Sequence, residues 1–348
     1  MARFKICVVG RFNRDNACDG QTIKTIELVE ELVKKYGEEN IRQTCYAKIR
    51  DNKPKLLMAL LSSFASSEKI IVAANSTGVG NLLKACTLIN KIFHRKLYFM
   101  LVGAALHEEI DENPAALPIL KQCEGIFVET ETLRRDLVDR GLERLYIVPN
   151  FKKLRRFGLE EQPKEFTKPY RLVYMSRIVG LKGVTEMIRE LKRINENEIK
   201  FTLDMYGIVC PDYEEEFSRI RADLPEYIKY HGICDAWKTT EVINGYFLQL
   251  FPTKCPTEGQ PASIIDSFFA GTPVISGRWN SCHDMLREGE TGISFPLEDF
   301  DAFREKLEYC YDHPEEVMAM RKHCVAEAEL FMPEKVIEDL AGILDGGR

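Results

Sequence analysis

The sequence predicts an α/β protein made of two Rossmann-like halves, each a doubly wound parallel sheet, with the two halves facing a cleft. Three observations carry this. Short apolar runs alternate with segments of helical period, the alternation restarts after a polar stretch near residue 160, and 348 residues with 45% hydrophobic and 29% charged side chains are enough for two ordinary domains.

In the first half the apolar runs are KICVVG (5–10), RQTCYAKI (42–49), KIIVAAN (69–75), LYFMLVG (97–103), GIFVET (125–130) and RLYIVPN (144–150). Their near-continuous apolar character is that of strands buried on both faces of a parallel sheet. Between the first two lies GQTIKTIELVEELVKKYG, in which Ile23, Ile26, Val29, Leu32, Val33 and Tyr36 form one stripe and the Lys and Glu residues occupy the rest. The stretch KKLRRFGLEEQPKEFTKPYR has two prolines and no apolar period, so it reads as a linker. The pattern resumes with RLVYMSR (171–177), FTLDMYG (201–207), IKYHGI (228–233), YFLQLFP (246–252), TPVISG (272–277) and GISFP (292–296). Expected boundaries are therefore 1–160 and 161–330, with a last helical segment over 331–348. In open parallel sheets, ligands bind beyond the carboxyl ends of the strands.

A net charge of −6 argues against a general nucleic-acid binder. Eleven scattered cysteines with no C-x-x-C pair suggest neither a disulfide framework nor a zinc site, and a reducing cytoplasm suits them. No window approaches 18 uninterrupted apolar residues, and MARFKICVVG is too short for a signal sequence, so a soluble protein is expected. FKKLRRF (151–157) is basic and partly apolar; it fits either peripheral attraction to an anionic membrane or a solvated hinge with two structural Phe residues.

Candidate chemistry follows the strands. After RLVYMS, Arg177 and Lys182-Gly183 open a helical segment, and a planar guanidinium with a point-charge ammonium can converge on a diphosphate. EGQPASIID (258–266) combines Glu258, a helix start at Gln260-Pro261-Ala262-Ser263 and a second carboxylate, Asp266, two turns on; IIDSFFAG runs to a stop at Gly271. Free amides at such a start favour an anion. Asp299-Phe300-Asp301 has the form of a metal-binding acid pair, but its place before AFREKLEYCY makes helix capping the better reading. No metal site and no cofactor are expected.

Arg177-x4-Lys182-Gly183, Asp204-Met-Tyr-Gly207, His231-Gly-Ile and the run from Pro252 through CPTEGQPASIIDSFFAGTPVI together resemble, in order and spacing, the donor domain of retaining glycosyltransferases of family 4, which have the GT-B fold. The ICVVG strand followed by Asp19-Gly20-Gln21-Thr22 is similar to the family's first donor-facing loop. FMPEKVIEDL, from Phe331, resembles the last helix, which in such proteins crosses back to the N-terminal domain.

The resemblance implies transfer of a hexose-type sugar from a nucleotide diphosphate sugar (UDP- or GDP-linked) to a hydroxyl of a saccharide or lipid-linked acceptor, with retention, in polysaccharide or glycolipid biosynthesis. Glu258 would contact the sugar, and Arg177 and Lys182 the diphosphate. Gly20, Gln21, Gly207, Gly259, Pro261, Ala262 and Ser263 would line the donor, with Asp266 at the ribose, where the family carries Glu. His107 matches a family His near the sugar. Glu108 and Glu109, and Asn75-Ser-Thr-Gly78-Val-Gly80, are candidates for the acceptor side, with solvation for the acids and a turn for the Asn segment as the plain alternatives. A nucleotide-sugar epimerase of the same architecture, or a non-catalytic nucleotide-sugar binding protein, is the alternative.

Overall fold

The computed structural model describes residues 3–12, 20–47 and 51–346, which divide into two compact units: Met1–Lys152 with Met332–Arg348, and Lys153–Phe331. Each contains one six-stranded sheet in which every recorded strand pairing is parallel. All twelve expected apolar runs contain a strand.

The first unit runs β1 (Phe4–Gly10), α1 (Gly20–Tyr36), β2 (Ile41–Cys45), α2 (Lys53–Ser66), β3 (Ser67–Ala74), α3 (Lys84–Phe93), β4 (Lys96–Leu101), α4 (Leu106–Glu112), α5 (Ala116–Leu120), β5 (Gly125–Val128), α6 (Glu131–Asp139) and β6 (Leu145–Ile147), in sheet order β2-β1-β3-β4-β5-β6. On one face Leu60 and Phe64 of α2 and Cys86 and Ile89 of α3 share a core with β1, β3 and β4. On the other, Leu28, Val29 and Leu32 of α1 pack with Val336, Ile337 and Leu340 of the chain's last helix, Pro333–Leu344. The apolar stripe of α1 is thus inside, but so are three charges the periodicity assigns to solvent: Lys24, Glu27 and Glu31 are all at most 5% exposed. Lys24 can be buried because its ammonium meets Glu129, just past β5, at 2.5 Å.

The second unit continues with β7 (Tyr170–Met175), α7 (Val184–Ile194), β8 (Phe201–Tyr206), α8 (Glu214–Ala222), β9 (Ile228–Tyr230), α9 (Thr239–Ile243), β10 (Leu248–Phe251), α10 (Ala262–Ala270), β11 (Val274–Gly277), β12 (Gly292–Phe295), α11 (Phe300–Asp312) and α12 (Pro314–Glu327); the last helix of the chain is α13. The sheet order is β12-β11-β10-β7-β8-β9. From β7 the chain winds outward through β8 and β9, then returns to lay β10 on the other side of β7, so the winding direction reverses between β7 and β10.

The polar stretch after residue 152 folds with the second unit rather than lying between the two. The Phe157 amide donates to the Phe269 carbonyl at 2.8 Å, and Phe166 packs edge-on against Phe247 at 5.4 Å. Gln162 accepts from Arg321, which also donates to the carbonyls of Asn244 and Tyr246 at 2.9 and 3.0 Å. Burial pulls the Arg321 pKa down to about 10.

The same packing corrects the membrane reading of FKKLRRF. Phe151 and Phe157 are 2% and 7% exposed, inside the first and second units respectively, and so offer no apolar anchor. Arg155 pairs with Glu161 and Arg156 with Glu329. Among the described residues, no helix is long and apolar enough to cross a membrane.

Replacing Arg321 with Ala removes the donor to one buried and one part-buried carbonyl and opens a cavity; it should lower the unfolding free energy by about 3 kcal/mol, measured by urea denaturation. Arg321→Lys, which keeps the charge but not the fork, should recover less than half of that loss.

Candidate active site

At the reversal between β7 and β10, the loops that follow these two strands meet beyond their carboxyl ends. Beyond β7 a tight turn over Gly180–Lys182 leads to Gly183, whose φ of 67° and whose hydrogen in place of a Cβ are both required: a Cβ there would stand 2.1 Å from the Pro252 carbonyl oxygen beyond β10. The Lys254 amide donates to the Leu181 carbonyl at 2.9 Å, fastening the second loop to the first.

This contact brings Lys182 to Glu258. The ammonium binds the Glu258 Oε1, with the two side chains 9% and 15% exposed. Thr253 donates to the same oxygen at 2.7 Å, while its own oxygen accepts from the Cys255 amide at 3.2 Å. The Lys182 ammonium lies 4.5 Å from the centre of the Phe251 ring. Behind it Trp279 packs edge-on to Phe251 and donates to Ser281, whose hydroxyl donates to the Glu258 carbonyl at 3.0 Å. Both Glu258 groups are therefore held by named partners, so the loop has a defined course into α10.

Pro261 is the cap residue of α10, and the Ile264 amide donates to its carbonyl at 3.0 Å; Gly271, at φ 67°, ends the helix as expected. The amides of Ala262 and Ser263 stand in the first turn, where a helix has no acceptors of its own to offer. Gln249, buried in β10, donates to the Ser263 carbonyl at 3.0 Å and accepts from Ser267, tying α10 to the sheet. Gly259 and Pro261 are half-buried. Asp266 is 4% exposed between Ile265 and Ser267, so it is no surface carboxylate. Its charge reaches Cys234 beyond β9, whose thiol is pushed up by burial first, then by Asp235 and Asp266.

Arg177 is exposed at the end of β7, and its carbonyl accepts from the buried Tyr174 hydroxyl at 2.6 Å. Burial pushes the Tyr174 pKa up, and the Glu258 charge adds to this. Gly207 ends β8 at φ 148°, where a Cβ would stand 1.8 Å from the Ser176 carbonyl oxygen. Next to it lies an arrangement the sequence does not reveal. Asp204 takes hydrogen bonds from His231 at 2.5 Å, Tyr246 at 2.9 Å and Arg171 at 3.3 Å, and the His231 ring stacks on Tyr206. Burial raises the Asp204 pKa, but these three donors outweigh it and leave it below the ordinary value.

The remaining candidates belong to the first unit. Gly20 is the first residue of α1, and the Gln21 amide donates to the Tyr46 hydroxyl at 3.3 Å; Asp19 lies outside the described residues. His107 is half-buried on α4, with Nδ1 3.1 Å from the Ala104 carbonyl oxygen. Glu108 is exposed and Glu109 half-buried on the same helix. Asn75 begins a turn, with its carbonyl accepting from the Gly78 amide at 3.0 Å. Asp299 caps α11 through the Ala302 amide at 2.9 Å, and Asp301 pairs with Arg304 at 2.8 Å, in accord with the capping reading. Thr253, Ser281 and Trp279 were not found from sequence; the position of Thr253, two residues beyond a buried strand, is the one available signal.

Two six-stranded parallel-sheet units with helices are the architecture of the GT-B fold. Residues 169–313 match the model of the glycosyl transferases of group 1. The fold of the chain is similar to that of HepE from Anabaena, solved with UDP-glucose: 12% identity, TM-score 0.77, covering 98% of this chain and 99% of that one. Sucrose-phosphate synthase from Thermosynechococcus elongatus is equally similar at 13% identity and TM-score 0.77, over 99% and 98% of the two chains. In sequence, 186 residues are 25% identical to the GtfA subunit of a UDP-N-acetylglucosamine–peptide N-acetylglucosaminyltransferase from Streptococcus gordonii. That match takes in half of this chain and 35% of the relative.

Removing one member of a buried pair strands the other, so Glu258→Ala and Lys182→Ala should each cost about 3 kcal/mol, and the double variant clearly less than the sum; a double-mutant cycle in urea measures this. A second expectation concerns pH. The Asp204 value is lower in the folded chain, so its ionised form contributes stability that is complete above the unfolded value of about 3.9 and is lost as pH falls through the folded value. Asp204→Asn should therefore melt below the wild type at pH 7, with the gap narrowing below about pH 4 in thermal melts.

Proposed function

We propose that the protein transfers a hexose-type sugar from a UDP-sugar to an acceptor hydroxyl with retention of configuration. The observation that carries this is the meeting of Lys182 and Glu258 from separate loops at the β7/β10 switch point, beside the first turn of α10. A donor diphosphate seated at that turn faces orphan amides, the positive end of the helix, Lys182 and the exposed Arg177. Its charge competes with Glu258 for the ammonium. As Lys182 turns to phosphate, Glu258 is released to accept hydrogen bonds from sugar hydroxyls, still steered by Thr253. Loss of the glycosidic bond places negative charge on the leaving diphosphate, where the two cations act most strongly. Front-face attack by the acceptor oxygen, with the departing phosphate taking its proton, retains configuration and needs no protein nucleophile.

The UDP assignment follows the UDP-glucose held by HepE and the UDP-N-acetylglucosamine in the name of the Streptococcus relative. Gly207, Gly259, Pro261, Ala262 and Ser263 line the donor in this reading, with Asp266 behind them on the ribose side. Gly20, Gln21 and His107 are assigned to the first unit's share of sugar and acceptor recognition, and the acceptor is a saccharide or a lipid-linked saccharide in the cytoplasm.

The test is ligand-induced thermal shift followed by turnover. UDP and UDP-sugars should raise the melting temperature more than GDP or ADP counterparts. Lys182→Ala should lose the gain from UDP while keeping any gain from uridine, and its turnover should fall about a hundredfold or more, as with loss of one oxyanion donor. Unchanged turnover in both Arg177→Ala and Lys182→Ala overturns the assignment. Conversion of the donor alone into an epimer, followed by NMR, would point to the epimerase instead.

A further inference from the structure

The charge of this chain is unevenly distributed. Over residues 52–107 there are seven lysines and arginines and a single acid, Glu68, within a protein whose net charge is −6. Neither α2 nor α3 contains an acid. These helices lie side by side on one face of the first sheet: the Phe64 and Phe93 rings approach to 6.3 Å, and Arg95 donates to the Phe64 carbonyl at 3.0 Å. Their outward sides therefore form one surface.

That surface carries large apolar side chains in water. Leu57 and Met58 on α2 are 50% and 70% exposed, and Leu88 and Ile92 on α3 are 54% and 71% exposed. Single exposed apolar residues need no explanation, but four on adjacent helices make a patch. The spacing interleaves them with cations. Lys53 stands one turn before Leu57, Lys84 one turn before Leu88, and Lys91 three residues after Leu88, all exposed, with Lys55 beside them. Lysine stems lie along apolar surface while their ammonium groups reach outward, an arrangement suited to the plane where acyl chains meet headgroups. Protein interfaces are instead enriched in Tyr, Trp and Arg and depleted in Lys, whereas the outward face described here has lysine as its repeated cation and neither Tyr nor Trp among these residues.

We propose that the α2/α3 face docks the protein on the surface of a bilayer containing anionic lipid, with Leu57, Met58, Leu88 and Ile92 entering the acyl boundary and the lysines meeting the headgroups. The proposal does not depend on the donor assignment. In co-sedimentation, the full-length protein should bind phosphatidylcholine vesicles containing phosphatidylglycerol, bind pure phosphatidylcholine vesicles at least tenfold less, and be released by high salt. Gln at Lys53, Lys55, Lys84 and Lys91 should weaken partitioning at least tenfold, and Leu57→Ser with Ile92→Ser by a similar factor. All six positions are exposed, so both variants should melt with the wild type. Absence of vesicle binding, or binding by both variants that equals that of the wild type, overturns the proposal. So does light scattering that finds a dimer converted to monomer by Leu57→Ser with Ile92→Ser, since a second copy would then cover the face.

Discussion

The close approach of two backbones at Gly183 and Pro252 governs the second unit's site. A side chain at residue 183 would be driven into the carbonyl of residue 252, so hydrogen at that position is the condition for the β7 and β10 loops to touch. Once they touch, Lys182 has little freedom: Phe251 lies beneath its ammonium and Glu258 faces it. The same device recurs at Gly207 against Ser176 and at Gly277, where a Cβ would stand 2.2 Å from the Thr253 carbonyl oxygen. Three glycines thus bring main chain against main chain along one edge of a sheet. The parallel topology delivers every strand's carboxyl end, and with it every functional loop, to that edge.

Two carboxylates of the second unit have opposite characters. Asp204 is surrounded by three donors from three elements, so its charge is settled by the fold and its value is depressed. At Glu258 the Lys182 ammonium and the Thr253 hydroxyl converge on one oxygen, and the stronger of these partners is a cation that phosphate attracts more strongly. Saturation suits a strut, whereas a partner that can be drawn away suits the role proposed for Glu258.

How much was legible follows from the range of each interaction. Strands of a parallel sheet are apolar on both faces, so all twelve were visible as runs, and Lys182, Glu258 and the α10 start were visible because each sits immediately after such a run or before a helical period. The burial of Lys24 was not, because its partner Glu129 lies 105 residues away and a lysine on a helix reads as solvated until that partner is known. The polar stretch 153–169 read as a linker for the same reason. What docks it is Arg321, 159 residues beyond Gln162, together with Phe247 and Phe269. The Asp204 arrangement needs residues 171, 231 and 246 at once, and no local pattern announces such a convergence.

The division of the chain also has a bearing on the order in which it is made. The second unit is one continuous stretch and is complete once Phe331 has been synthesised, whereas the first unit receives α13 last of all. Until that helix leaves the ribosome, Leu28, Val29 and Leu32 of α1 lack the Val336, Ile337 and Leu340 side chains that share their core. The half that begins emerging first is therefore the half that finishes second, and during that interval the Leu28, Val29 and Leu32 face of α1 is without its partner helix.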